Sequence, residues 1–200
     1  MDNTFIYLLG FPGVGKYTIA QEIAQQADAV VVDSQLVNMP IFTVLQADGK
    51  TPLPPQAFDK AKQVWSVVFD TIVELADPST NFVLTNALLD EKASDHAWFQ
   101  TVVGMVTQRE GRLLPVRLLC ELEENRRRIV SPERNGRLKT IDPDSPDPLH
   151  DERTVLNPDY PNTLTLDVTD LSAEDAATRI VEAATGLTQN EPAIQDGISR

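Results

Sequence analysis

Residues 8–20 read LLGFPGVGKYTIA. The spacing G-x-x-x-x-G-K is that of a phosphate-binding loop, except that Tyr17 stands where the pattern takes Ser or Thr. The flanks supply the context such a loop needs. Upstream, Thr4 to Leu9 is a short apolar run rich in β-formers, which suits a buried parallel strand. Downstream, Ile19, Ala20, Ile23, Ala24 and Ala27 recur at helical spacing and make one apolar face. Gly10, Gly13 and Gly15 permit the dihedrals that wrap backbone N–H groups around an anion. A helix starting near Lys16 adds its N-terminal dipole, and Lys16 adds a full positive charge. Gly10, Pro12, Gly13, Val14, Gly15, Lys16, Tyr17 and Thr18 are therefore expected to hold nucleotide phosphates. Thr18 offers a hydroxyl one position after the substituted one, and Tyr17 reads as a packing residue at the start of the helix.

Composition bounds the rest. Two hundred residues with 42% hydrophobic content suit one α/β domain. No apolar run approaches the roughly 20 residues of a membrane span, and the N-terminus does not read as a signal peptide. Cys120 is alone, which excludes a disulfide framework and a thiolate metal cluster, and a buried inert thiol is expected. The cytoplasm is the expected compartment. Seventeen Lys and Arg against 30 Asp and Glu give a net charge of −13, which argues against a nucleic-acid partner. The cations are nevertheless gathered: Arg126, Arg127, Arg128, Arg134, Arg137 and Lys139 fall within fourteen residues.

Further strands are expected at 29–33, 81–86, 113–120 and 164–168. Between them, helices are expected over 58–75, 91–110, 121–130 and from 172 to about 186. Residues 34–56 read as loop-rich with one short helix, and 131–162 as a polar stretch dotted with proline. After Leu187 the chain turns polar, and 187–200 is expected to be disordered. Five strands alternating with helices give a three-layer α/β/α domain over 1–186, with a parallel sheet and ligands beyond the strand C-ends. Asp33, Thr85-Asn86 and the glycine-rich loop all fall at such ends.

The pattern G-x-P-G-x-G-K-x-T resembles the loop of adenylate kinase and its relatives. Over residues 4–186 the arrangement is similar to small P-loop kinases: adenylate, shikimate and gluconate kinases, chloramphenicol phosphotransferase, and small proteins grouped as AAA-family ATPases. The resemblance implies strand order 2-3-1-4-5, a substrate-binding insertion at 34–60 and an arginine-bearing lid at 126–153. It also implies ATP and Mg2+, with Thr18 near the metal directly or through water. Carried across, Arg127 flanks the base and Arg134 reaches the transferring phosphate. The alternative for these arginines is a solvated helix face pairing with Glu121, Glu123 and Glu124, which Arg126 and Arg128 fit better.

Asp33 is the candidate partner of the acceptor, able to take a hydroxyl proton or hold the metal's water shell; otherwise it caps the next helix. Asn86 sits where a Walker B acid is expected, but it is an amide. Asn38 either lines the acceptor pocket or forms a turn, and Trp65 and Phe42 could stack on a ring, with Trp65 fitting the core better. His96 and His150 have no second metal ligand at useful spacing and receive no role. The expected activity is ATP-dependent phosphoryl transfer to a small hydroxyl-bearing metabolite or nucleotide, by a monomer or homodimer. The alternative is an ATPase or nucleotide-responsive regulator without an acceptor. A GTPase is disfavoured because no N-K-x-D motif is present, and an AAA+ machine because the chain is too short.

Overall fold

In the parallel sheet the first strand lies in the middle, and that placement decides where the glycine-rich loop emerges. The computed structural model describes residues 1–49, 51–130, 144 and 146–187. Strands are β1 (Thr4–Leu9), β2 (Ala29–Asp33), β3 (Asn81–Asn86), β4 (Arg112–Leu119) and β5 (Leu164–Asp167). Helices are α1 (Lys16–Ala27), α2 (Ser34–Val44), α3 (Pro55–Glu74), α4 (Ala93–Gln108), α5 (Leu122–Ile129), α6 (Asp147–Glu152) and α7 (Ala173–Thr185). These five strands pair in parallel, in the order β2-β3-β1-β4-β5. This is the order that the resemblance implies, and the parallel pairing is what right-handed crossovers give.

Every residue of β1 is buried, as expected for a central strand covered on both faces. The core continues through α1, α3, α4 and α7, each of which buries residues at spacings of three and four. Aromatic rings fill one part of it. Tyr7 stacks on Phe99 with ring centres 6.0 Å apart, and Trp65, Phe69 and Trp98 pack together within 5.7 Å. Trp65 is 3% exposed and belongs to this core.

The register aligns the carboxyl ends that form the crevice. Asp33 pairs with Thr85, Leu9 pairs with both Asn86 and Arg117, and Leu119 pairs with Asp167. Two segments differ from the sequence expectation. The insertion after β2 begins with an eleven-residue helix, α2, that runs straight out of the strand and tolerates Pro40 in its interior. The stretch after α5 includes the short helix α6, entered through Pro146. Within that stretch, 131–143 lie outside the described residues, as do 188–200. The expectations for Arg134 and for 188–200 therefore fall outside the described structure, while Leu187, expected to begin the tail, is buried in the core.

Candidate nucleotide-binding site

The loop leaves β1 after Leu9 and enters α1 at Lys16. Its shape depends on two glycines with left-handed backbone, Gly13 at φ 96° and Gly15 at φ 100°. Gly15 is also the N-cap of α1 and offers no side-chain acceptor, so the first-turn amides are not capped by that residue. Helix dipole and amides thus converge where an anion can sit. The Lys16 ammonium folds back on the loop, donating to the carbonyls of Gly10 at 2.6 Å and Phe11 at 2.9 Å. Gly10 is confined by close packing. A Cβ there would lie 2.9 Å from Val14 Cγ2 and 3.1 Å from the Leu118 carbonyl.

Tyr17 is half-buried, and its hydroxyl accepts from Gln21 Nε2 at 3.0 Å one helical turn on. Thr18 is exposed in the first turn of α1. Asp33 is 4% exposed at the end of β2, and its Oδ1 accepts from the Gln35 amide at 2.7 Å. It therefore caps α2, and the cap also fixes the carboxylate at the crevice. Next to it, Thr85 Oγ1 accepts from the Ser34 amide at 3.1 Å. Asn86 supports the loop rather than a charge: its main-chain oxygen accepts from the Gly10 amide at 3.3 Å. Its Oδ1 accepts from the Tyr7 hydroxyl at 2.9 Å. Burial pushes the Tyr7 phenol far up, so it stays a donor to that amide.

Asn38 lies within α2, not in a turn, and its Oδ1 accepts from Trp65 Nε1 at 3.2 Å. Phe42 is 9% exposed and meets Phe58 edge-on. His96 bonds the Asp90 carbonyl at 2.7 Å. Cys120 is buried, and burial raises its thiol, which agrees with an inert side chain.

Helix α5 sorts its three arginines in a way the sequence does not. Arg127 is largely exposed and paired twice with Glu124, at 2.6 Å each. Arg126 pairs with Glu123 and with Asp147 of α6. Arg128 instead faces the loop. Its guanidinium donates to the Val14 carbonyl at 3.2 Å and to the Val168 and Thr169 carbonyls at 2.8 and 3.0 Å. One nitrogen lies 3.9 Å from where a Cβ on Gly15 would be. The arginine brought to the glycine-rich loop is thus Arg128, while Arg127 is largely exposed, and Glu124 pairs with both. Salt bridges to Arg127 and Arg128 hold Glu124 down to about 2, so this carboxylate stays charged throughout the physiological range.

Sequence reasoning also passes over Asn125, His150 and Phe11. Asn125 is fully buried, and its Nδ2 donates to the Pro12 carbonyl at 3.0 Å. Its Oδ1 meets His150 Nε2 at 3.1 Å, and Phe11 lies 5.1 Å from the His150 ring. Burial lowers the His150 pKa, while Asp147 and Asp151 oppose that shift. The available signal was a lone carboxamide four residues before Ile129 on an otherwise charged helix.

The same contact explains Gly13. A Cβ at this position would approach Asn125 Nδ2 to 2.5 Å, on a backbone already at positive φ. Gly13→Ala is expected to weaken MgATP binding at least about tenfold and to lower stability by about 1–3 kcal/mol. Titration and thermal melts check both. Gly104→Ala is the control, since Gly104 lies inside α4 with open space around it and alanine suits a helix.

No protein-family model matches the sequence, and no curated protein matches it. Solved structures do match in fold. A gluconokinase from Sinorhizobium meliloti 1021 is 15% identical over 92% of each chain, with a TM-score of 0.61. A protein from Chloroflexus aurantiacus J-10-fl is 14% identical over 94% of this chain and 100% of that one, with a TM-score of 0.65. A shikimate kinase from Acinetobacter baumannii, solved with shikimate, is 18% identical over 92% and 95%, with a TM-score of 0.52. The chain therefore has the fold of the small P-loop kinases.

Proposed function

We propose that this protein is an ATP- and Mg2+-dependent phosphotransferase acting on a small hydroxyl-bearing metabolite or nucleotide. One observation carries the reading: a left-handed glycine loop, Lys16 and the first turn of α1 follow the carboxyl end of β1, and the buried carboxylate of Asp33 stands at the carboxyl end of β2, two strands away in the same parallel sheet. Phosphoryl transfer asks a protein to hold the terminal phosphate, match its spreading charge and align the acceptor. Lys16 and the loop amides hold the phosphates, and Arg128 adds positive charge beside Gly15. Asp33 takes the acceptor's proton or orders water around the metal. The resemblance assigns Arg134 to the transferring phosphate. The donor set suits Mg2+, which is commonly bound by substrate phosphates with one or two protein oxygens, here Thr18 and Asp33. When bound, the ion would neutralise charge on the phosphate oxygens.

A second reading keeps the nucleotide and drops the acceptor. It is favoured by Asn86, where an amide already engaged by Tyr7 stands at the strand end that would otherwise offer an acid. ADP release measured across sugars, nucleosides, nucleotides and hydroxylated antibiotics separates the two. Phosphotransfer is expected to raise ADP release at least tenfold with one acceptor class; the same slow rate with every compound leaves the hydrolase or regulator.

A further inference from the structure

The glycine-rich loop is gripped from outside by a helix whose role in the site the motif does not announce. On α5, Asn125 is fully buried, although its neighbours Glu124 and Arg126 are charged. Its carboxamide has two partners of opposite kind. A proline carbonyl can only accept, so the amide nitrogen must face Pro12, at 3.0 Å. The amide oxygen must then face His150, so His150 Nε2 must carry the proton across the 3.1 Å contact.

Peptide planarity gives this bond a consequence inside the loop. In a trans peptide the C=O and the following N–H point in opposite directions. Holding the Pro12 carbonyl toward α5 therefore aims the Gly13 N–H away from α5. Arg128, one turn along the same helix, does the same to the Val14–Gly15 peptide through its bond to the Val14 carbonyl. Phe11 packs on the ring of His150, so three consecutive loop residues, 11 to 13, touch the Asn125–His150 pair.

We propose that Asn125 is a positioning residue for the nucleotide site: its amide, held by His150, fixes the orientation of the loop peptides before the phosphates arrive. This rests on the nucleotide reading above and adds a residue to it. Preorganisation acts on the free protein, so its loss weakens binding without changing the final complex.

The test compares wild type with Asn125→Leu, which is similar in size and makes no hydrogen bond. At a temperature where both are folded, the MgATP dissociation constant is expected to rise about tenfold, in line with leaving two partly buried polar partners unpaired. In the free variant the Gly13 and Gly15 amide NMR signals are expected to split or broaden, and to return to wild-type positions when saturated with MgATP. A purely structural side chain would lower the melting temperature and leave the dissociation constant alone.

Should Asn125→Leu fail to fold, His150→Leu and His150→Gln decide. The glutamine keeps an N–H donor and should bind within about twofold of wild type, whereas the leucine should bind about three- to fivefold more weakly. Wild-type affinity in Asn125→Leu, or equal affinities in the two His150 variants, overturns the assignment alone. A wild-type protein that does not bind MgATP overturns the nucleotide reading, and this assignment with it.

Discussion

Lys16→Ala is expected to abolish stabilisation by MgATP while leaving the fold in place. In the free protein the ammonium donates to the Gly10 and Phe11 carbonyls, both within the loop that precedes it. Those carbonyls belong to a segment also held through Gly10 to Asn86 and through Pro12 to Asn125, so removing the side chain does not unpin it. The loss falls on the ligand. Charge-assisted contacts to a phosphate contribute about 1.5–3 kcal/mol each, and losing two of them weakens affinity about a hundredfold or more. At nucleotide set to 100 times the wild-type dissociation constant, wild type gains about 2.7 kcal/mol and such a variant only about 0.4 kcal/mol. A thermal melt with and without MgATP reads this directly; a variant still shifted by the wild-type amount would remove Lys16 from the site.

Asp33→Asn is expected to do the reverse, keeping the nucleotide and losing turnover. Asparagine matches aspartate in size and is about as good an N-cap, so it can preserve the bond to the Gln35 amide that starts α2. It cannot accept a proton at neutral pH. Loss of a general base lowers turnover about 10²–10⁴-fold. The dissociation constant for MgATP should stay within about threefold of wild type. Equal loss of binding and turnover would place Asp33 in nucleotide binding or folding instead. A turnover rate within tenfold of wild type would take the base role from it.

Much of the scaffold could be read from single residues. The apolar runs at Thr4–Leu9 and Asn81–Asn86 are strands because a parallel sheet covered on both faces leaves no polar side to alternate with. The glycine loop was legible because its dihedral demands exclude other residues at Gly13 and Gly15. Asp33 posed a choice between cap and candidate base that the geometry does not require, since one carboxylate oxygen on the Gln35 amide leaves the group at the crevice.

What stayed hidden depended on helix phase. Successive residues of α5 are turned by about 100°, so three adjacent arginines face three directions, and nothing in R-R-R says which one faces the loop. The buried positions Asn125 and Ile129 would set the phase, but one of them is polar and hides the stripe. Helix α6 is six residues long and opens next to prolines, too short for any periodicity to declare itself. His150 therefore looked isolated in sequence, although it meets a partner 25 residues earlier.

The carboxamide at the end of β3 has a consequence for how any metal would be held. Its oxygen is occupied by a phenol that burial keeps protonated, and among the described residues no trio of His, Cys, Asp and Glu side chains gathers. In the proposed reaction a divalent ion would be held by the nucleotide phosphates with Thr18 and Asp33, and the end of β3 would offer it no carboxylate.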